Sequence, residues 1–431
     1  MTVQSEAAIR LRVAATEWLR RNWDLLSNFA AIFGATAVTS ALGLAFWAVA
    51  ARMFSEQAVG YSSAAVSAMG VLAIVGTMGL GTVLISELPR RTRRAQLISA
   101  AMLAGGIASL LLAVVFSLVA PLVSAQFSSV TGTWAGAGLL MAGVALTAAS
   151  GVFDMAAIGL ARGGLQLWRN TVFAAGKLAI LPVTALLIQD RAGSGITLSW
   201  VAGTALSMAL IALWLRMRGV PVLPRPDWRI LRGLSWTVAA HNWVNIGVQV
   251  PRLIMPIVAT VVVGASANAA FFTAWSLTGL LFLVPLDLAT ALFAVGSARA
   301  QVTRQKLRLS LRLSALAGLA GMLVLGLGAR LVLSVFGHTY VEQATVPLLL
   351  MLAAYPPTVP KLHYMAICLA ERRPRPAAIV LAVTAAAELA AAAVGGAYGG
   401  LTGLCAALLA VFVAEGIITS PRVIRVAAGR Q

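Results

Sequence analysis

The chain has 431 residues, of which 60% are hydrophobic and 10% are charged, and it carries a formal net charge of +19. A water-soluble domain of this size could not place so many apolar side chains on its surface, so the composition excludes a soluble globular protein and indicates a membrane protein. The basic residues stand in short segments between apolar runs, which favours anionic membrane lipids as partners over nucleic acid.

Apolar runs long enough to cross a membrane recur along the whole chain, since a transmembrane helix needs about 20 apolar residues. The predicted spans are, in chain order, 28–51, 59–86, 97–125, 134–161, 171–188, 196–215, 234–263, 269–298, 313–336, 344–370, 377–397 and 401–420. Residues 1–27 hold several arginines beside Trp18 and Trp23. They are predicted to be a cytoplasmic or interfacial basic segment, with a solvated tail as the alternative.

These spans place almost every basic loop on one side of the membrane. If the N-terminus is cytoplasmic, the side facing the cytoplasm receives the basic clusters at 90–94, 216–232, 299–312, 372–375 and 422–430. Arg52 and Arg191 face outward. Cytoplasmic loops are the ones enriched in Lys and Arg. We therefore expect an all-α polytopic membrane protein of about twelve spans with both termini in the cytoplasm, and "inner" and "outer" below refer to this orientation.

Two parts of the chain share one design, which indicates an internal repeat. Residues 61–90 and 272–299 each form a long span of small residues that ends in a basic loop, and they lie about 210 positions apart. Parallel repeats of this kind occur in transporters, which bind substrate between the halves. We therefore expect two pseudo-symmetric six-helix lobes, a proline-containing cytoplasmic linker between them and a cytoplasmic tail. Their predicted bounds are 28–215, 234–420, 216–233 and 421–431, respectively.

Ionisable side chains fall within the predicted spans, where charge is costly and marks a transport pathway or a nearby partner. They are Asp154, Lys177, Arg252, Asp287, Arg330, Lys361, Glu388 and Glu415. Asp154 and Lys177 lie at one depth on consecutive spans, and we predict that they form a structural ion pair. Lys361 and Glu388 hold the corresponding position in the second half with the signs exchanged, so a second structural pair is predicted there.

The seventh span carries a polar stripe that lipid would not accept. Its members are His241, Asn245, Gln249 and Arg252. Because these residues follow helical spacing, they share one face, which is predicted to line a cavity or another helix. Arg252 has two interpretations. We favour a cavity cation that binds phosphate by fork-like hydrogen bonds, and the alternative is a structural residue that pairs with Asp287 or with backbone carbonyls.

Two carboxylates are candidates for binding a coupling ion. Asp287 lies on the eighth span, deeper toward the cytoplasm than Arg252, and Glu415 lies near the inner end of the last span. A loop arginine is the alternative partner for Glu415. The sequence has no metal-ligand cluster, no phosphate-binding loop and no paired cysteines, so we predict no cofactor, no metal site and no enzyme activity.

Four segments resemble one known family. They are ASANAAFFTAWSLTGLLFLVPLDLATALFAVGSAR at 265–299, AARMFSEQAVGYSSA at 50–64, GLGT at 79–82 and FGHTYVEQA at 336–344. In these segments and in span order the chain resembles polysaccharide transporters of the multidrug/oligosaccharidyl-lipid/polysaccharide flippase superfamily. The resemblance implies alternating access of two six-helix lobes and a cationic cavity for the pyrophosphate of a lipid-linked oligosaccharide. Arg252 would be its cation, with Arg52 at the outer mouth. Asp287 departs from the small polar residue expected there, which points to proton or sodium coupling.

The leading expectation is a transporter in a bacterial cytoplasmic membrane that flips a lipid-linked oligosaccharide or polysaccharide precursor, with polysaccharide-assembly proteins as candidate partners. The alternative is an ion-coupled multidrug or small-molecule antiporter of the same superfamily, although neither of the first two spans has the deep acidic residue that it would need. A membrane glycosyltransferase or polymerase is disfavoured, because the outer loops hold only Glu56, Asp190 and Glu342 as carboxylates. A transport-inactive scaffold is the fourth alternative.

Overall fold

The structure, a computed structural model, describes residues 39–88, 93–160, 162–188, 190, 192–222, 224–228, 236–297, 302–371 and 373–429, together with isolated positions between 23 and 33. For residues 236–248 it describes the helix but not the side chains. Most of the predicted segment 1–27 and the first part of the first predicted span lie outside the described residues.

The described chain is a succession of α-helices and contains no strand. The helices are α1 (Thr39–Met53), α2 (Glu56–Thr77), α3 (Leu80–Glu87), α4 (Arg94–Val123), α5 (Ser128–Thr131), α6 (Trp134–Gly159), α7 (Gly163–Leu187), α8 (Ser194–Met217), α9 (Trp236–Val263), α10 (Ala265–Ser297), α11 (Arg304–Leu327), α12 (Ala329–Ser334), α13 (His338–Ala353), α14 (Tyr355–Ala370) and α15 (Pro374–Ala428). Within the described residues, 8 helices are long and apolar enough to cross a membrane, and α1 is a shorter apolar helix.

Large apolar side chains on the outside of the molecule identify the surface that faces lipid. Leu122 of α4 is 86% exposed, Leu186 of α7 is 83% exposed and Leu327 of α11 is 87% exposed. In water such exposure would be costly, whereas in a bilayer these side chains contact hydrocarbon. The chain is therefore a polytopic membrane protein.

Each predicted span contains described helix, but the structure changes several boundaries. The second span is divided between α2 and α3 at Met78 and Gly79, whose φ angles of 45° and 79° end the first of these helices. The tenth span is divided at Ala354 between α13 and α14. Helices α7 and α11 begin at Gly163 and Arg304, several residues before the predicted spans. The basic residues at the start of α11 can remain helical there because their long side chains reach the interface.

The last two predicted spans form the single element α15, which turns at Gly400. This residue has φ 58° and ψ −149°, a backbone conformation that glycine adopts without the strain that an L side chain would cause. On either side of the turn the two halves pack closely, since a Cβ atom at Gly395 would overlap the backbone carbonyl of Gly403. The turn places Glu388 and Glu415 on facing halves of the same element.

The helices form two lobes, α1–α8 and α9–α15, that meet through α2. In the first lobe α2, α4, α6 and α8 pack on one another, and in the second α10 packs on α13 and α14 while α9 packs on α15. Across the boundary α2 packs on both α9 and α10. One cluster of buried apolar side chains joins the lobes. It contains Trp47 and Leu181 of the first lobe together with Leu277 and Tyr340 of the second lobe.

Polar contacts join the outer ends of the two lobes. Ser266 Oγ donates a hydrogen bond to Glu56 Oε2 at 2.9 Å, and Asn268 Nδ2 donates to the Gly60 carbonyl and to Ser63 Oγ, each at 2.9 Å. We call these five residues the outer latch. Glu56 and Ser266 are 210 residues apart, which matches the offset of the predicted repeat. Equivalent positions contact each other in this way where they lie near a two-fold axis.

Candidate functional site

A cavity of about 130 Å³ lies in the second lobe between α9, α10, α14 and α15. Its polar lining consists of Gln249, Arg252, Thr278, Thr358, Lys361, Thr384 and Glu388. Its aromatic lining consists of Trp275, Phe282 and Phe412. A concave, mainly apolar pocket with a few convergent polar groups is typical of a small-molecule site.

One ammonium group at the wall of this cavity contacts two carboxylates. Lys361 Nζ of α14 lies 2.7 Å from Glu388 Oε1 and 2.9 Å from Glu415 Oε2, both on α15. All three side chains are buried. The contact between Lys361 and Glu388 is the one that the sequence predicts, whereas Glu415 meets this lysine instead of a loop arginine. We call the three residues the charge triad.

The charge triad leaves one oxygen atom without a partner. Glu415 Oε1 is buried and accepts no hydrogen bond from the described part of the chain. Lys361 and Glu388 line the cavity, while Glu415 is 3% exposed and does not. Lys361 carries one positive charge, whereas Glu388 and Glu415 each carry a negative charge when ionised. The cluster therefore has an excess of negative charge when all three groups are ionised.

Arg252 of α9 gives the cavity an accessible cation. The residue is exposed because its side chain faces the cavity. Its guanidinium packs over Gly279 of α10, where a Cβ atom would lie 3.0 Å from Arg252 Nη2. Gln249 lines the cavity from the preceding turn of the same helix. The side chains of His241 and Asn245, the other members of the predicted polar stripe, lie outside the described residues.

Asp287 of α10 is a further buried carboxylate near the cavity. It is 5% exposed, and its Oδ2 atom has no hydrogen-bond partner in the described chain. The adjacent Leu286 lines the cavity, whereas Asp287 does not. The described residues include no ion pair between Asp287 and Arg252. They also include no group of three or more His, Cys, Asp or Glu side chains that could hold a metal ion.

The predicted ion pair of Asp154 and Lys177 is wrong. Asp154 instead accepts two hydrogen bonds from Arg169, at 2.7 Å from Nε and 2.6 Å from Nη2. The prediction placed Arg169 in a cytoplasmic loop, but α7 begins at Gly163 and carries this arginine into the lobe. A planar guanidinium can bond both carboxylate oxygens at once, which an ammonium group cannot do with the same geometry.

Lys177 lies among three aromatic rings that come from three helices. Its Nζ atom is 3.7 Å from the ring centroid of Trp200, 4.5 Å from that of Phe173 and 4.8 Å from that of Phe46. The sequence contains a partial signal for this arrangement, because Phe173 precedes Lys177 by one helical turn on the same face. The rings of Phe46 and Trp200 come from α1 and α8, and sequence spacing does not reveal them.

Arg52, which the family resemblance places at the outer mouth of a cationic cavity, contacts the second lobe elsewhere. It lies at the end of α1 and is exposed. Its Nε donates a hydrogen bond to the Val335 carbonyl at 2.9 Å, and its Nη2 donates to the Ser334 carbonyl. Arg52 therefore joins the outer ends of the lobes and does not line the cavity that contains Arg252.

Comparison with known proteins shows similarity in structure. No protein-family model and no curated protein matches the chain. An inward-facing multidrug resistance MATE family transporter of the MOP superfamily matches with a TM-score of 0.68 and 16% identity, over 91% of this chain and 95% of that one. An outward-facing conformation of such a transporter matches with a TM-score of 0.63 and 16% identity, over 94% and 96%.

A third similar structure is a MOP superfamily transporter from Pyrococcus furiosus that is described by the reverse polarity of its binding pocket. It matches with a TM-score of 0.62 and 14% identity, over 95% of this chain and 96% of that one. Similarity over nearly the whole length at such low identity establishes the fold and not the substrate. The chain is an all-α membrane protein with the two-lobed fold of MATE family transporters in the MOP superfamily.

Proposed function

We propose that the protein is a proton-coupled transporter that moves a small amphipathic anion across the membrane by alternating access. The observation that carries this proposal is the charge triad, in which Glu388 and Glu415 share the single ammonium group of Lys361. The similarity to structures described as multidrug resistance transporters supports the same class of function.

The charge balance of the triad explains why it would bind a coupling ion. Excess charge at membrane depth is costly, and an unpaired buried carboxylate is costly in the same way. A proton on Glu415 makes the triad neutral, and Oε1 is free to carry it. A conformation that brings water to the triad would favour loss of this proton. An ion that binds two conformations with different affinity shifts the equilibrium between them, which is the basis of coupling.

The lining of the cavity supports a small anion with an apolar body as the substrate. Arg252 presents a guanidinium that recognises sulfonate, carboxylate or phosphate groups, and Trp275 and Phe282 offer aromatic surface to an apolar body. The cavity volume of about 130 Å³ is smaller than the roughly 300–1,000 Å³ that drug-sized ligands occupy. A small molecule therefore needs a modest opening of the lobes, whereas a glycan would need a much larger one.

Flipping of a lipid-linked oligosaccharide is the second candidate function, and Arg252 is the observation that favours it. This residue is accessible and has no carboxylate in ion-pair contact within the described chain, so it could also bind a pyrophosphate. Both candidates use Arg252, but a flippase without ion coupling would not require the charge triad. Dependence of transport on Glu415 therefore separates the two.

Transport by the purified protein in liposomes tests the proposal. The probe is a fluorescent naphthalene sulfonate, and ethidium serves as a cation of comparable aromatic character. Liposomes with an acidic lumen should accumulate the sulfonate as protons leave, and should not accumulate ethidium. Arg252→Gln should abolish this uptake. The matched control is Arg330→Gln, which changes an exposed arginine in α12 and should transport normally.

The Glu415→Gln variant tests the coupling separately. It should still bind the sulfonate but lose the acceleration by the pH gradient, whereas Glu342→Gln, at an exposed glutamate of α13, should keep it. Sulfonate uptake that survives both Arg252→Gln and Glu415→Gln would contradict the proposal. The second candidate would be supported if the protein flipped a lipid-linked pyrophosphate glycan at a rate that does not depend on the pH gradient, and if Glu415→Gln did not change that rate.

A further inference from the structure

Lys177 is a cationic group buried in the first lobe, away from the cavity. The residue is 3% exposed, and its ammonium group is surrounded by the rings of Phe46, Phe173 and Trp200 at 3.7–4.8 Å from their centroids. We call this arrangement the lysine cage. Ring faces attract a cation through their quadrupole, and this attraction is lost when the amine is neutral.

The lysine cage contains no counter-ion. Lys177 makes no ion pair and no side-chain hydrogen bond with the described residues. Helix α7 packs on α6 and α8, and Phe46 comes from α1. The charged groups that these elements carry are Asp154 and Arg169, which bind each other, Arg216 in the last turn of α8, and Arg52 at the outer end of α1. The aromatic rings therefore provide the stabilisation of an ammonium at this site.

An ammonium inside the membrane that lacks a carboxylate partner depends closely on its surroundings. The three rings belong to three different helices, so a small movement of α1 or α8 relative to α7 weakens the attraction. The affinity of Lys177 for a proton is thereby linked to the packing of these helices. Such linkage is reciprocal, because a proton that binds one packing more tightly also stabilises that packing.

A chain of aromatic contacts connects the lysine cage to the second lobe. Trp47 of α1 packs against Phe46 at 5.3 Å and against Trp200 at 6.1 Å between ring centroids. Trp47 also packs against Phe272 of α10, across the lobe boundary, at 4.7 Å. Phe272 lies one turn beyond Asn268 of the outer latch. Separation of the outer ends would withdraw Phe272 from Trp47 and remove a support of the cage.

We propose that Lys177 is a proton-binding switch of the transport cycle, and that the proton it exchanges with the outer side stabilises the conformation in which the outer ends of the lobes are closed. This rests on the proposed function in one respect, namely that protons are the coupling ion. Lys177 takes up a proton when the outer side is open, and the caged ammonium then draws α1, α7 and α8 together. The proton that moves across the membrane with the transport cycle is carried by the charge triad in the second lobe.

The test measures the distance between the outer ends of the lobes as a function of pH, without substrate. Spin labels are placed by Ser129→Cys in α5 and His338→Cys in α13, both exposed and in different lobes, and the native Cys368 and Cys405 are buried. Double electron–electron resonance in lipid nanodiscs gives the fraction of outer-closed molecules. In the otherwise unchanged protein this fraction should rise as the pH falls.

Three variants separate a proton-binding switch from a purely structural lysine. Lys177→Met removes the titrating group and should greatly reduce the rise of the outer-closed fraction at low pH, leaving only the response that depends on Glu415, with the closed form less populated. Lys177→Arg keeps a charge that does not titrate and should hold the closed form at every pH. Phe173→Leu keeps the lysine but removes one ring, and should move the transition by about one pH unit toward acid, since a desolvated cation–π contact corresponds to about a tenfold change in affinity.

Glu415→Gln distinguishes this inference from the proposed function. This variant should retain the pH response that depends on Lys177, even though its transport is uncoupled. The inference is overturned if Lys177→Met leaves the pH response unchanged, if Glu415→Gln removes all of it, or if Phe173→Leu lowers the closed fraction without moving the transition. None of these results bears on whether Glu415→Gln uncouples transport. The proposed function is therefore tested separately, by the liposome experiment.

Discussion

Two buried ion clusters in the described part of the chain differ in charge balance. Arg169 meets one carboxylate, Asp154, through two hydrogen bonds, and the cluster is neutral. Lys361 meets two carboxylates, Glu388 and Glu415, and the cluster is not neutral when all groups are ionised. A balanced buried pair can remain unchanged throughout a transport cycle, whereas an unbalanced one must gain or lose a cation to avoid excess charge. The first cluster is therefore structural, and the second is where we place coupling.

Removal of one partner of the balanced pair should be strongly destabilising. Arg169→Met leaves the buried Asp154 without a counter-charge, and we expect a loss of about 3–5 kcal/mol of stability. The double variant with Asp154→Leu should recover most of that loss, because no charge is then stranded. Thermal unfolding in detergent measures both. If the single and double variants were equally unstable, the loss of stability would not come from the unpaired charge of Asp154.

Lys361→Met should make stability depend on pH. The variant leaves Glu388 and Glu415 facing each other, and ionisation of both is opposed by their mutual repulsion. It should therefore unfold at lower temperature near about pH 8 than near about pH 5, because protonation in acid removes the repulsion. Arg330→Met, at an exposed arginine of α12, is the control and should not acquire this dependence. A pH-independent loss of stability in Lys361→Met would mean that the carboxylates do not ionise in the folded protein.

The outer ends of α2 and α10 meet in the outer latch, where we expect the closed conformation to be held. They lie within the segments 50–64 and 265–299, which the sequence already singled out by family resemblance. Composition and spacing could not show that these segments touch, because contact between residues about 210 positions apart is a property of the folded lobes. The two segments that carry the family resemblance are therefore also the segments that join the lobes at their outer ends. Small residues such as Gly60 let the two helices approach within hydrogen-bond distance.

Gly60→Ala should open the outer end. A Cβ atom at this position would overlap the backbone of Ala265, so α2 and α10 must separate. Overpacking of this kind costs about 1–3 kcal/mol, which lowers the closed-to-open ratio by about fivefold or more. The distance between labels at 129 and 338 measures the change. Gly43→Ala in α1 is the matched control, because its Cβ atom would meet no atom within 4 Å. An unchanged distance in Gly60→Ala would mean that the outer latch does not hold the lobes closed.

At the level of the whole molecule, the sequence was sufficient for the membrane environment, the helical class and the order of the spans. Hydropathy and loop charge determine these properties locally, so they need no tertiary information. The partners of the charged residues were predicted less well. Lys361 and Glu388 were paired by depth alone, but the same argument failed for Asp154, because depth does not reveal whether Arg169 or Lys177 faces it. The third member of the charge triad depends on the turn at Gly400, which hydropathy does not reveal.

The central claim is that protons and substrate are coupled through the charge triad, and reciprocity provides its most direct test. If a proton gradient drives the sulfonate probe, then a gradient of the probe alone must move protons. Liposomes are loaded with the sulfonate at equal inner and outer pH, and a fluorescent pH indicator in the lumen is followed after dilution. The protein should acidify the lumen as the probe leaves. Glu415→Gln should release the probe without acidification. Probe efflux by the unchanged protein at constant lumen pH would contradict the account.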